Sequence, residues 1–145
     1  MDEERKETDG DFAPQHHGRR VLIVEDEAMV AMLIEDMLSD LGFEVVATVG
    51  RLDEGVRLAE TVVADIAVLD LMLAGQQTYP IAAVLKARGI PFVFASGYGA
   101  SHIDEAFADV PTLPKPFQEA DLARAIEWVL RDKRSAPDRP EEQPR

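Results

Sequence analysis

Short apolar runs and helical stripes alternate along the middle of this chain, and each change of period marks an element. Val21-Leu22-Ile23-Val24 is a continuous run rich in β-branched residues, which predicts a strand covered on both faces. Val30, Leu33, Ile34, Met37, Leu38 and Leu41 then recur at helical spacing, with Gly42 as the stop. Phe43 to Val49 reads as a second strand. Leu52 to about Val62 is a weaker helix, with Asp53 and Glu54 near its start. Ile66 to Leu69 is the third apolar run. Thr78-Tyr79-Pro80 opens a helix over Ile81 to Arg88, closed by Gly89, because proline is tolerated in a first turn. Pro91 to Ala95 predicts the fourth strand, Ser101 to Ala108 a short helix of poor periodicity, and Val110 to Leu113 the fifth strand. In the last helix, Glu119 to Arg131, residues Leu122, Ala125, Ile126, Val129 and Leu130 form one face. Glu119 and Asp121 suit its N-terminal dipole.

Five strands alternating with five helices predict an α/β fold, a flavodoxin-like (βα)5 doubly wound parallel sheet with strand order 2-1-3-4-5. This core runs from about residue 19 to 132. Residues 1–18, mostly polar and acidic, and 133–145, rich in proline and charge, read as disordered tails. His16 and His17 fall in the first tail and read as solvated side chains rather than metal ligands. Met29, Met32 and Met37 belong to the first helix and carry no expected chemistry; core filling explains Met37. Trp128 borders the last helix's apolar stripe, where partial burial is preferred to a partner anchor.

With 145 residues, 46% of them hydrophobic, the chain is long enough for one packed domain. Its formal charge of -13 argues against a nucleic-acid surface, which needs Lys and Arg along phosphates, and against an anionic membrane surface. The absence of cysteine excludes disulfides and thiolate metal sites. No apolar run approaches the ~20 residues of a membrane span. MDEERKETDGD lacks the apolar region of a signal peptide, so a cytoplasmic location is expected.

In open α/β sheets ligands bind beyond the carboxyl ends of the strands. Glu25-Asp26-Glu27 follow the first run, Asp70 the third, Ser96 and Gly97 the fourth, and Lys115 the fifth. Only the second strand, placed at the sheet edge, supplies nothing. Glu25, Asp26 and Asp70 gathered together would repel one another unless a cation intervened. Mg²⁺ fits best, since it takes one or two carboxylates, keeps waters and accepts phosphate oxygens. The alternative for Asp26 is a cap on the first helix. Lys115 and Ser96 convert a cation site into a phosphoryl site. A carboxylate nucleophile gives an acyl phosphate, and Mg²⁺, an ammonium and a hydroxyl can each hold one equatorial oxygen. Pro116 allows a cis Lys115–Pro116 peptide that aims the ammonium back at the site.

The segments VLIVEDE (21–27), VLDLML (68–73), PFVFASGYG (91–99) and LPKPF (113–117), in this order and at these spacings, resemble the receiver domain of two-component response regulators. The resemblance implies Asp70 as phosphoacceptor and Glu25 and Asp26 as the acidic pair that holds Mg²⁺. The Met72 carbonyl becomes a further metal ligand, Ser96 the switch hydroxyl and Lys115 the phosphate-binding lysine. It implies a histidine kinase or phosphotransfer protein as donor, and a downstream protein left unnamed. PFVFASGYG also resembles the FAT GUY subclass, which pairs with HWE-type histidine kinases; Ser96 stands where that motif usually has Thr and keeps the hydroxyl.

Two departures bear on output. Receivers of the usual kind carry an aromatic three residues before the lysine, and here that position is Thr112. Tyr98 is then a candidate for part of the signal, as is ordering of the weak fourth helix; Tyr98 is equally readable as loop packing. Nothing after Arg131 reads as an effector domain. The expectation is a stand-alone receiver, not an enzyme, that signals through protein contacts or acts as a phosphate sink. Two competing readings are a degenerate receiver that binds without phosphorylation and an aspartyl-nucleophile phosphatase. The second lacks the usual acid two residues after the nucleophile, where Met72 stands.

Overall fold

The apolar runs become the strands of a five-stranded parallel sheet in the computed structural model, which describes residues 18–97 and 103–135. The strands are β1 (Arg20–Val24), β2 (Glu44–Val49), β3 (Ile66–Asp70), β4 (Phe92–Ser96) and β5 (Thr112–Pro114). Their order, β2-β1-β3-β4-β5, is the expected doubly wound one. Crossovers run through α1 (Ala28–Asp40), α2 (Leu52–Thr61) and α3 (Tyr79–Ala87), and α4 (Glu119–Ser135) follows β5.

Side chains alternate across the sheet, so each strand feeds two cores. Leu22, Val24, Ala67, Leu69, Phe92 and Phe94 pack with Ala59 of α2 and Ile81 and Leu85 of α3. Val21, Ile23, Ile66, Val68 and Val93 pack with Ile34 and Leu38 of α1 and Leu122 and Ile126 of α4. Covering both faces is what requires the runs to be continuous rather than alternating. Each fully buried Leu or Ile contributes about 1.5–3 kcal/mol over an exposed one.

The glycine stops work as read. Gly42 and Gly89 take φ of 96° and 74°, the left-handed region open to a residue without Cβ. At α1 the Phe43 N–H donates to Leu38 O at 2.9 Å and the Gly42 N–H to Ser39 O at 3.0 Å. Ile90 to Leu85 O and Gly89 to Lys86 O repeat the pattern after α3. Both ends are Schellman motifs, which satisfy carbonyls the helix leaves open.

Three expectations are corrected. Instead of a helix over Ser101 to Ala108, the described part of that segment forms only a 3₁₀ turn, Glu105–Phe107. The fifth strand is Thr112–Pro114, not Val110 to Leu113, because it follows the register Phe94↔Thr112 to Ser96↔Pro114. Leu33, counted in the apolar stripe of α1, is exposed beside Met29 and Met32, while Ile34 and Leu38 hold the core. The alternative reading of Asp26 as a cap on α1 does not hold, since the N-cap residue is Glu27. In addition, α4 runs past the predicted Arg131 to Ser135. Trp128 is 45% exposed, so it is only partly covered. His16 and His17 lie outside the described residues.

Candidate functional site

Strand alternation carries three charged groups to one side of the sheet. Ile23, Val68 and Leu113 pack on the α1 and α4 side. Glu25, Asp70 and Lys115, each two positions further along, leave the strand ends toward that same side. Glu25 and Asp70 are buried, at 4% and 7% exposure. The Lys115 ammonium lies between them, 3.1 Å from Glu25 Oε1 and 3.2 Å from the Asp70 carboxylate. The Lys115–Pro116 peptide is cis, as expected. Glu25 Oε2 accepts the Glu27 N–H at 3.0 Å, which engages the second oxygen of that carboxylate.

Asp26 is exposed at the mouth, and its Oδ2 accepts the Ala74 N–H at 3.0 Å. Ala74 sits in the turn of a small antiparallel hairpin, Met72–Leu73 with Gln76–Gln77, which follows β3. Ala74 and Gly75 both have positive φ, 48° and 83°, the geometry of a tight two-residue hairpin turn. Met72, the expected carbonyl ligand, lies in this hairpin and is 38% exposed.

One ligand oxygen each from Glu25, Asp26 and Asp70 lie within 4.8 Å of one another. Burial first, and then repulsion from Glu25, push the Asp70 carboxyl from its ordinary 3.8 up to about 7; Lys115 pulls the other way without prevailing. For Lys115, burial acts to lower the pKa. The hydrogen bond to Glu25 and the attraction of both carboxylates outweigh it, so the net shift is upward and the ammonium stays charged. One ammonium against three carboxylates leaves surplus negative charge on oxygen donors, which suits a hard divalent cation such as Mg²⁺. Glu25, Asp26 and Asp70 are the side chains that would hold it.

Ser96 ends β4, buried, with its Cα paired with Pro114, one position beyond the pair Asp70↔Ala95. Its carbonyl accepts the Lys115 N–H at 2.8 Å, which ties the two strand ends. Thr112 is half-buried, pairs with Phe94 in the sheet, and reaches Val110 O with its hydroxyl at a long 3.4 Å. Tyr98 lies outside the described residues. Thr78 escaped the sequence reading, which used it only to open α3. It is fully buried, and its hydroxyl donates to Asp70 O at 2.7 Å instead of capping the helix. The available signal was its place immediately before Tyr79-Pro80, a position where a hydroxyl is ordinarily read as a cap.

A doubly wound sheet with a buried aspartate, a facing lysine and two further acids at its carboxyl edge is an arrangement typical of a phosphorylation site with a bound divalent cation. The family model described as Response regulator receiver domain matches residues 21–127, and the chain belongs to that family. It is similar to the transcriptional regulatory protein PdtaR of Mycobacterium tuberculosis, with 34% identity over 127 residues, 85% of this chain and 60% of that protein. The chain thus spans less than two thirds of that relative's length. Among solved structures it resembles SdrG from Sphingomonas melonis Fr1, at 39% identity and a TM-score of 0.70, covering 78% of this chain and 97% of that one. It also resembles the receiver domain of sensor histidine kinase PA1611 from Pseudomonas aeruginosa PAO1. There the identity is 25% and the TM-score 0.64, covering 78% and 98%; that structure has a magnesium ion coordinated in its active site cleft.

Proposed function

We propose that Asp70 accepts a phosphoryl group from a protein phosphohistidine and that the charged surface this creates is read by a protein partner. The observation that carries the reading is the buried Asp70 carboxylate 3.2 Å from Lys115, beside Glu25 and Asp26 at the carboxyl edge of the sheet. An Asp70 oxygen attacks phosphorus as the P–N bond to the donor histidine breaks, and the imidazole leaves with the electron pair. In this reading Lys115 follows an oxygen of the transferred group and the Ser96 hydroxyl donates to another; the backbone position of Ser96, one register step beyond the Asp70 pair, supports it. Glu25 and Asp26, with Asp70 and the Met72 carbonyl, would hold the cation. Bound Mg²⁺ would offset charge on the phosphoryl oxygens. Next to the mouth, α1 exposes Met29, Met32 and Leu33, an apolar face on which a donor protein can rest.

The donor is a histidine kinase, of HWE type if the FAT GUY-like loop is a guide, or a phosphotransfer protein. The output is a protein contact or withdrawal of phosphate from a shared kinase, in the cytoplasm; among the described residues no helix is long and apolar enough to cross a membrane. A phosphatase is the weaker reading, because Met72 offers no acid or base two residues after Asp70. Incubation with acetyl phosphate tests the proposal. Mg²⁺-dependent gain of one phosphoryl mass, absent in Asp70→Asn, is the expected result. Failure of the wild type to label favours the degenerate receiver, and steady turnover of a small phosphoester favours the phosphatase.

A further inference from the structure

The hydroxyl of Thr78 has one proton and two carbonyls within reach, Asp70 O at 2.7 Å and Leu71 O at 3.3 Å. Its own N–H donates to Leu71 O at 2.9 Å. The backbone at the phosphoacceptor is therefore strapped to the first residue before α3, inside a fully buried contact. The next residue, Tyr79, reaches the opposite way. Its ring stacks on Phe107, with centroids 5.4 Å apart and planes at 12°, and meets Phe94 edge-on at 6.1 Å. Its hydroxyl accepts the Asp104 N–H at 2.9 Å. Asp104 in turn starts the 3₁₀ turn, accepting the Ala106 N–H on Oδ1 at 3.0 Å and the Phe107 N–H on its carbonyl at 2.8 Å. Further along α3, Lys86 Nζ donates to Ala106 O at 3.0 Å.

We propose that Thr78 and Tyr79 form a positioning pair that couples the charge on Asp70 to the seating of the segment Ile103–Val110. The inference rests on the phosphoacceptor reading and deepens it by naming how the charge is reported. A phosphoryl group on Asp70 draws Lys115 onto new oxygens and shifts the end of β3 with the loop after it. Thr78 follows through its two carbonyl acceptors, and the change of acceptor supplies two discrete arrangements. Tyr79, fixed to Thr78 by one peptide, then loosens or tightens its hold on Asp104 and Phe107. Thr112 has no ring with which to do this; its hydroxyl reaches Val110 O, two residues back in the chain, at 3.4 Å.

The test uses the full chain, with acetyl phosphate for labelling and beryllofluoride plus Mg²⁺ as the activating probe. Amide hydrogen exchange is followed over Ile103–Val110. The wild type is expected to change protection there by at least about fivefold on activation, in line with a typical coupling. Tyr79→Phe, which keeps the ring and removes the acceptor, is expected to label normally and lose that change. Thr78→Val is expected to lose it and to label more slowly, and Thr78→Ser to restore both. Labelling of all four proteins with the same exchange change in each overturns the coupling alone. So does a wild type that labels without any change in this segment. A wild type that neither labels nor responds to beryllofluoride overturns the phosphoacceptor reading, and the coupling with it.

Discussion

Replacing Asp70 by Asn removes a charge whose cost the surroundings make calculable. The Asp70 carboxyl stands at about 7 in the folded chain against an ordinary 3.8. At ~1.4 kcal/mol per pH unit that gap corresponds to about 4 kcal/mol. Water at the mouth screens part of it, and roughly half is a better expectation. The sign follows from proton binding. The folded state holds the proton more tightly than the unfolded state, so this group's contribution to stability is present below about pH 4. It is lost as the pH rises through about 7, and it is constant above that. Asparagine does not titrate, and it leaves Lys115 paired with Glu25 alone, one charge against one. In a chelator-containing buffer, Asp70→Asn should therefore be more stable than the wild type by about 2 kcal/mol at pH 8, or roughly 4–8 °C in Tm. Near pH 4 the difference should shrink to almost nothing. Thermal unfolding followed by circular dichroism at several pH values measures this directly. Millimolar Mg²⁺ at pH 8 should narrow the gap, because it neutralises the same carboxylates only in the wild type's full set. An Asp70→Asn protein less stable than wild type at pH 8, or a gain independent of pH, would refute the electrostatic account of the site.

Two other substitutions test the scaffold. A Cβ on Gly55 of α2 would fall 2.4 Å from Ile81 Cδ1 and 3.2 Å from Ile81 Cγ1, and Ile81 is fully buried. Gly55→Ala should then destabilise by about 1–2 kcal/mol despite its better helix propensity, and a raised Tm would contradict this packing. Arg88 donates from Nη1 to Ala59 O and Val62 O, both at 2.8 Å, and so ties the end of α2 to the end of α3. Arg88→Met should lower the urea midpoint by an amount equal to about 1–2 kcal/mol with an unchanged slope; an unshifted midpoint would mean that water serves those carbonyls equally well.

The strands, four of the helices and the strand-end positions of Glu25, Asp70 and Lys115 were readable from the chain because each has a local cause. Val21–Val24 and Ile66–Leu69 are continuous apolar runs that only a doubly covered strand accommodates, and Gly42 and Gly89 close helices through a backbone conformation that glycine favours. Asp70 and Lys115 were legible as strand-end residues for the same reason. Ser101 to Ala108 misled because its propensity is weak and its form depends on Tyr79 and Lys86, more than fifteen positions earlier. Leu33 was misplaced because a stripe of apolar residues does not say how wide the sheet beneath the helix is. The tertiary structure alone decided that Asp26 serves the Ala74 N–H, that the Thr78 hydroxyl turns to Asp70 O, and that Asp70 sits near neutrality. These depend on pairing register and burial, which bring together groups that share no sequence neighbourhood and set the dielectric between them.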